Sequence, residues 1–175
     1  ADCRDILPLI PDKSIDLVLT DPPYGIDYQS ARRIDWQRKE KIIGDDEFPL
    51  WFFDMVRPSK AMFVFCRWDI LPILPTPKSL IVWDKCRHSM GDLEHEYGRQ
   101  WEAIAFYPFS EHQFLNRPKD IIRIPCIPAN ELQHPNEKPI ALMAQLLVDN
   151  VGEMVLDPFA RVGSTLMAAK KLGRK

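Results

Sequence analysis

Long apolar runs are absent from this 175-residue chain, and so is a marked excess of charge of either sign. No apolar segment approaches the roughly 20 residues that a membrane-spanning helix needs, and no signal peptide opens the sequence. The formal net charge is −2, so any contact with nucleic acid must come from a local basic patch rather than from the whole surface. We therefore expect a cytoplasmic protein that is not strongly basic.

Cysteine is also scarce. The four cysteines are scattered and show no CxxC spacing: Cys3, Cys66, Cys86 and Cys126. This pattern favours reduced thiols over a disulfide framework. Cys86, His88 and His95 match no ligand spacing that is typical of a metal site, so we expect no bound metal.

The length and the hydrophobic content of 46% predict a single domain, residues 1–175, with a substantial core. Short apolar segments predict strands, and apolar residues at helical spacing predict helices. The predicted strands are 14–20, 61–66, 79–83, 101–107, 119–124 and 154–157. The predicted helices are 6–10, 48–57, 139–148 (with a stop at Gly152) and 163–172. Strands that alternate with helices favour a mainly parallel, doubly wound α/β sheet.

Asp21-Pro22-Pro23-Tyr24 follows the predicted strand that ends at Thr20. Two successive prolines end a strand because they donate no backbone hydrogen bonds to a sheet. The tetrapeptide therefore presents a carboxylate, free carbonyls and an aromatic ring at the carboxyl end of a strand, where open α/β sheets bind ligands. The alternative is a strand-ending turn whose Asp caps a following helix.

These groups suit methyl transfer to an exocyclic amino group of a nucleobase. The lone pair of such an amine is delocalised into the ring, so the amine is a poor nucleophile. A carboxylate and a rigid carbonyl can accept its two hydrogens and aim the lone pair at an electrophilic methyl group. A neighbouring aromatic ring can stack on a base that has swung out of the duplex.

Two further segments are weak signals when each is taken alone. Residues 157–165 follow a predicted strand and open a helix, so Gly163 and the first N–H groups of that helix can approach a ligand. Residues 134–139 form a stiff polar loop before another helix. Simple helix caps explain each segment separately, but the three motifs together are hard to attribute to chance.

In combination the motifs resemble those of the amino-specific DNA methyltransferases that use S-adenosylmethionine. The catalytic tetrapeptide of that family is matched by residues 21–24, its HP-x-x-KP segment by 134–139, and its DPF-x-G-S-G-S/T-T segment in part by 157–165. The order, with the catalytic motif before the cofactor motif, resembles the β group, which is bacterial or phage in type. The resemblance implies a Rossmann-like methyltransferase sheet, mostly parallel with one antiparallel strand, in a circularly permuted motif order.

The resemblance also implies roles for individual residues. Asp21 and the Pro22 carbonyl would hold the target amine, Tyr24 would stack on the flipped base, and Pro23 completes the catalytic motif. The residues that would bind S-adenosylmethionine are Asp2, Cys3, Asp21, His134, Asn136, Lys138, Asp157, Phe159, Ala160, Gly163 and Ser164. Asp2 and Cys3 would lie at a strand end. An Asp at the head of the tetrapeptide favours adenine N6, with cytosine N4 as the alternative target.

Double-stranded DNA is the partner that the resemblance implies. The basic segment 26–46 leaves the tetrapeptide directly, and its candidates for phosphate contact are Arg32, Arg33, Arg38, Lys39 and Lys41. Residues 110–133 are the candidate target-recognition segment, which also holds the cations Arg117, Lys119 and Arg123. Because this segment is short, we expect a short target site or help from a homodimer partner. The resemblance also leaves open a restriction endonuclease partner.

The chain departs from the family pattern at two places. Arg161 and Val162 stand where the family has glycine and serine, and an Arg side chain disfavours the positive φ that glycine tolerates. A strand that carries a ribose-binding acid usually follows the last helix, and it would begin at residues 173–175, where this sequence ends. The alternative hypothesis is therefore a truncated or non-catalytic DNA-binding remnant.

Overall fold

The computed structural model describes residues 2–25, 45–88, 94, 97–128, 130–132 and 137–175. In this part of the chain, six strands form one sheet in the order β5-β3-β4-β2-β1-β6. Their bounds are β1 Leu17–Thr20, β2 Ala61–Cys66, β3 Ser79–Asp84, β4 Trp101–Pro108, β5 Ile121–Arg123 and β6 Val155–Leu156. Strand β4 is antiparallel to both of its neighbours and the remaining pairs are parallel. The predicted sheet, mostly parallel with an antiparallel strand, is confirmed.

Four α-helices accompany the sheet in the described residues: α1 Cys3–Ile6, α2 Phe52–Met55, α3 Ile140–Val148 and α4 Ser164–Lys171. The helix predicted over 48–57 was too long. Val56 is already extended, with φ −121°, and Pro58 disfavours a helical conformation at Arg57. None of the helices in the described ranges is both long enough and apolar enough to cross a bilayer.

The prediction of a strand end was wrong for Cys3, which lies in α1. Asp2 is the N-cap of α1, and its Oδ1 accepts a hydrogen bond of 2.9 Å from the backbone N–H of Arg4. Short acidic side chains favour this position because they satisfy N–H groups that the first turn leaves without partners.

The sheet is covered on both faces. Leu17, Leu19 and Phe63 belong to a buried cluster with residues of α3 and α4. Val18 and Met62, which alternate with them, belong to a second cluster with Phe52 of α2 and with residues near the chain start. Strands that are buried on both faces read as continuous apolar runs, which is why β2 was predicted at its observed bounds.

The last residue pairs with the outer edge of β6. The N–H of Lys175 donates to the Glu153 carbonyl at 2.8 Å, and the N–H of Val155 donates to the Lys175 carbonyl at 2.7 Å. In a parallel pair of strands, one residue forms backbone hydrogen bonds to the residues before and after the residue opposite it, as Lys175 does here. Lys175 therefore lies where the sequence predicted a further strand to begin.

Candidate active site

The described residues of the three motifs converge at the carboxyl edge of the parallel strands, where β1 and β6 lie side by side. Asp157, which directly follows β6, links them. Its Oδ1 accepts hydrogen bonds from Thr20 Oγ1 at 2.7 Å and from the Phe159 N–H at 3.1 Å, and its Oδ2 accepts one from Thr165 Oγ1 at 2.7 Å. One carboxylate therefore ties the end of β1 to the loop after β6 and to the first turn of α4.

Burial raises the pKa of Asp157 to about 6, and the nearby charge of Asp21 acts in the same direction. The hydrogen bonds from Thr20, Thr165 and Phe159 oppose this rise because they favour the carboxylate. Asp157 is therefore harder to ionise in the folded protein than in the unfolded chain.

We expect the stability difference between wild type and Asp157→Asn to depend on pH. The folded-state pKa lies above the unfolded value, so ionisation of Asp157 disfavours the folded state above about pH 6. As pH rises from about 4 to 7, the free energy of unfolding of wild type should fall relative to that of the variant, by at most ~3 kcal/mol. Urea unfolding at a series of pH values measures this, and parallel curves for the two proteins would contradict it.

Both carboxylate oxygens of Asp21 are engaged. Oδ1 accepts a hydrogen bond from the Tyr24 hydroxyl at 2.8 Å, and Oδ2 accepts one from Lys138 Nζ at 2.8 Å. The Lys138 side chain is only 6% exposed and also pairs with Glu102 Oε2 at 3.2 Å. Lys138 therefore bridges two carboxylates, one at the end of β1 and the other in β4.

The network continues across the sheet edge to Lys85, whose Nζ lies 2.5 Å from Glu102 Oε1. Lys85, Glu102, Lys138 and Asp21 thus alternate in charge, with two cations and two anions. Burial disfavours the charged form of Glu102, but Lys138 and Lys85 outweigh it and lower the pKa of this carboxyl. Burial likewise disfavours a charged Lys138, but Asp21 and Glu102 raise its pKa. Both groups are therefore ionised at neutral pH.

Tyr24 is half-buried and packs against both core clusters. Lys138 Nζ lies 3.4 Å from its hydroxyl oxygen and 5.6 Å from the centre of its ring, so the ammonium lies beside the hydroxyl. Burial, followed by the charges of Asp21 and Glu102, raises the pKa of Tyr24 well above its usual value. The hydroxyl is therefore a proton donor, and the stacking of Tyr24 on a base stays a prediction.

An open cleft with about 320 Å³ of empty space lies beside Asp21. Seven of the predicted cofactor residues line it: Asp21, Lys138, Asp157, Phe159, Ala160, Gly163 and Ser164. Asp2, the N-cap of α1, and Cys3, its first residue, are not among the residues that line it. The predicted residues that fall outside the described part of the chain are His134, Asn136, Arg32, Arg33, Arg38, Lys39 and Lys41.

The cleft combines apolar and polar groups. Gly163, with φ +79°, precedes α4, whose first N–H groups have no acceptor within the helix. The Phe159 ring packs against those of Trp51 at 5.9 Å and Phe52 at 5.8 Å between centroids. Arg161 lines the cleft and is exposed, but its backbone carries no positive φ. The loop therefore accommodates Arg161 without the positive φ that an Arg side chain disfavours.

The comparisons with known sequences concern DNA methylation. A family model described as DNA methylase matches residues 15–175. The chain is 26% identical to the DNA adenine methyltransferase YhdJ of Escherichia coli (strain K12), in a match that covers 95% of the chain and 71% of that protein. It is 22% identical to the type II methyltransferase M2.MboI of Moraxella bovis, over 98% of the chain and 78% of that protein.

Solved structures share the fold. The complex of M1.HpyAVI with SAM matches with a TM-score of 0.69 and 22% identity, over 100% of this chain and 88% of that one. The PvuII DNA methyltransferase (cytosine-N4-specific) matches with a TM-score of 0.67 and 13% identity, over 100% of this chain and 78% of that one.

Proposed function

We propose a specific activity for this chain, which belongs to the DNA methylase family of S-adenosylmethionine-dependent enzymes that modify amino groups of adenine or cytosine. The proposed activity is methylation of adenine N6 in duplex DNA after the base has flipped out of the helix. The observation that carries this proposal is the position of the Asp21 carboxylate, which is hydrogen-bonded to Lys138 and Tyr24 beside the cleft that the predicted cofactor residues line. Its place at the carboxyl end of β1 is where such sheets bind their ligands.

The cleft fits S-adenosylmethionine because it offers an aromatic ring, free helix N–H groups and carboxylates together. Phe159, Ala160, Gly163 and Ser164 would contact the cofactor along the loop before α4, with Asp157 fixing that loop. When bound, S-adenosylmethionine supplies an electrophilic methyl group on a sulfonium centre. His134 and Asn136 stay predicted contacts, as do Asp2 and Cys3.

The tetrapeptide would position the target amine. Pro22 and Pro23 are both buried, and their rings restrict the backbone, so the Pro22 carbonyl points in a fixed direction. Asp21 Oδ1 and this carbonyl would accept the two N–H groups of the amine, which favours a pyramidal nitrogen with its lone pair free to bond to carbon. As the new N–C bond forms, the bond between the methyl carbon and the sulfonium sulfur would break to leave a neutral thioether, and the nitrogen would then release one of these protons to solvent.

Adenine is favoured by the Asp at the head of the tetrapeptide, and the relative YhdJ is described as a DNA adenine methyltransferase. Cytosine N4 is the second candidate because the PvuII enzyme, described as cytosine-N4-specific, shares the fold.

The test is to incubate the protein with S-adenosylmethionine and unmethylated duplex DNA, and to analyse the digested nucleosides by mass spectrometry. N6-methyladenine is the expected product, and N4-methylcytosine instead would contradict the adenine assignment. Cofactor binding with neither product would favour the non-catalytic remnant. A duplex with 2-aminopurine at the target position should gain fluorescence on binding if the base is flipped.

DNA contacts are proposed for the basic segment 26–46 and for residues 110–133. In the latter, Arg117, Lys119 and Arg123 are exposed, as phosphate-contacting cations must be. A single domain over residues 1–175, a homodimer and a restriction endonuclease partner stay predictions.

A further inference from the structure

We propose that Glu102 is a positioning residue, which holds Lys138 against Asp21 and offers a second acceptor to the Tyr24 hydroxyl when the target amine binds. This inference rests on the proposed function and extends it to a residue outside the three motifs. Glu102 would touch neither base nor cofactor, and it would act through Lys138 and Tyr24.

The target amine needs an acceptor that the resting network already uses. Asp21 Oδ2 is taken by Lys138, and Oδ1 is taken by the Tyr24 hydroxyl at 2.8 Å. An incoming N–H must therefore displace that hydroxyl from Oδ1. A displaced hydroxyl without an acceptor would carry the cost of an unsatisfied buried group. Glu102 Oε2 lies 3.5 Å from the same hydroxyl, so a small movement of the Tyr24 ring gives it a new partner.

Glu102 also fixes the orientation of Asp21 through Lys138. The Lys138 ammonium has three donors, and it reaches Asp21 at 2.8 Å, Glu102 at 3.2 Å and the Tyr24 oxygen at 3.4 Å. Its three neighbours thus fix one position for the nitrogen. Removal of the Glu102 charge would leave Lys138 held by one anion, and the Asp21 carboxylate would lose its fixed plane.

Glu102 is itself held on a rigid element. Glu102 lies in β4 opposite Trp83 of β3, and its other oxygen pairs with Lys85. Lys138, by contrast, lies just before α3 rather than in a strand. A residue fixed on an inner strand of the sheet therefore holds a cation that belongs to a connecting segment. Side chains on rigid elements position a site more precisely than side chains on loops.

The test is Glu102→Gln, which keeps the shape of the side chain and removes its charge. We expect kcat to fall roughly 10–100-fold because Asp21 is misplaced. The KM for DNA, the Kd for S-adenosylmethionine and the 2-aminopurine fluorescence gain should change much less than kcat does, since Glu102 itself touches neither ligand. Glu153→Gln, an exposed Glu outside the network, is the matched control and should retain wild-type kinetics.

A double-mutant cycle separates positioning from general stability. Lys138→Met should lower kcat, and addition of Glu102→Gln to it should lower kcat by less than twofold more, because Glu102 acts through Lys138. If Glu102→Gln alone does not fold, Lys85→Met/Glu102→Gln removes one charge of each sign and should show the same loss of kcat.

Two outcomes are distinct failures. Wild-type kcat in a folded Glu102→Gln variant, or losses of kcat that multiply fully in the cycle, would overturn the positioning role alone. No methylated base from the wild-type protein would overturn the proposed function, and the positioning role with it.

Discussion

Asp21→Asn should reduce methyl transfer by roughly 10²–10³-fold or more while the affinity for S-adenosylmethionine stays within a few-fold of wild type. The substitution keeps the volume of the side chain and removes the carboxylate that accepts from Tyr24 and Lys138. An amide presents one acceptor oxygen in place of two, so the target amine and Lys138 compete for it. Single-turnover transfer and calorimetric titration with the cofactor give the two quantities separately.

Asp12→Asn is the matched control because Asp12 is an exposed acid in the turn before β1. It should leave transfer and cofactor affinity unchanged. Equal losses of transfer and of cofactor binding in Asp21→Asn would mean that Asp21 shapes the pocket and does not act on the target amine.

Gly25→Ala should destabilise the fold by roughly 3 kcal/mol or more. Gly25 has φ +70°, which L side chains adopt only with strain, and an added Cβ would lie 2.6 Å from the Phe48 nitrogen and 2.7 Å from the Glu47 carbonyl carbon. Backbone atoms cannot rotate away as a side chain can. The turn after Tyr24 would therefore move away from Asp45, whose Oδ1 accepts the Gly25 N–H at 3.0 Å. Denaturant unfolding measures the loss of stability.

Gly173→Ala is the control that measures the cost of a positive φ alone, without a steric clash. Gly173 has the same φ of +70°, but an added Cβ there meets nothing within 4 Å, so the cost should be only about 1–2 kcal/mol. The extra loss in Gly25→Ala is then due to the close approach of residues 47 and 48. Equal losses in the two variants would show that the segment at 47–48 yields to the new methyl group.

The sequence predicted the fold well where the local signals agreed. Residues 61–66 are all apolar, and the strand has those bounds because burial on both faces demands such a run. Boundaries were less predictable where prolines and caps compete with periodicity. Pro58 shortened α2, and the Asp2 carboxylate caps a helix that begins at Cys3, where a strand end was predicted.

The candidate site was predictable as motifs but not as contacts. Local chemistry identified Asp21 and Asp157, whereas the pairing of Lys138 with Asp21 joins residues 117 positions apart. Sequence reasoning missed Glu102 and Lys85. A signal existed for Glu102, which is the one charged residue in the predicted strand 101–107, since a charge in a buried strand usually has a partner.

The network of two cations and two anions from Lys85 to Asp21 should respond to ionic strength differently from the DNA-binding surface. Mobile ions screen exposed charges over about 8–10 Å in physiological buffers, but they act much less on buried pairs. The four charges of this network, Lys138 among them, lie largely away from solvent. Cations that contact phosphates must instead be exposed, and their affinity for DNA falls steeply as salt rises. We therefore expect added salt to lower the affinity for DNA and to leave the geometry around Asp21 intact.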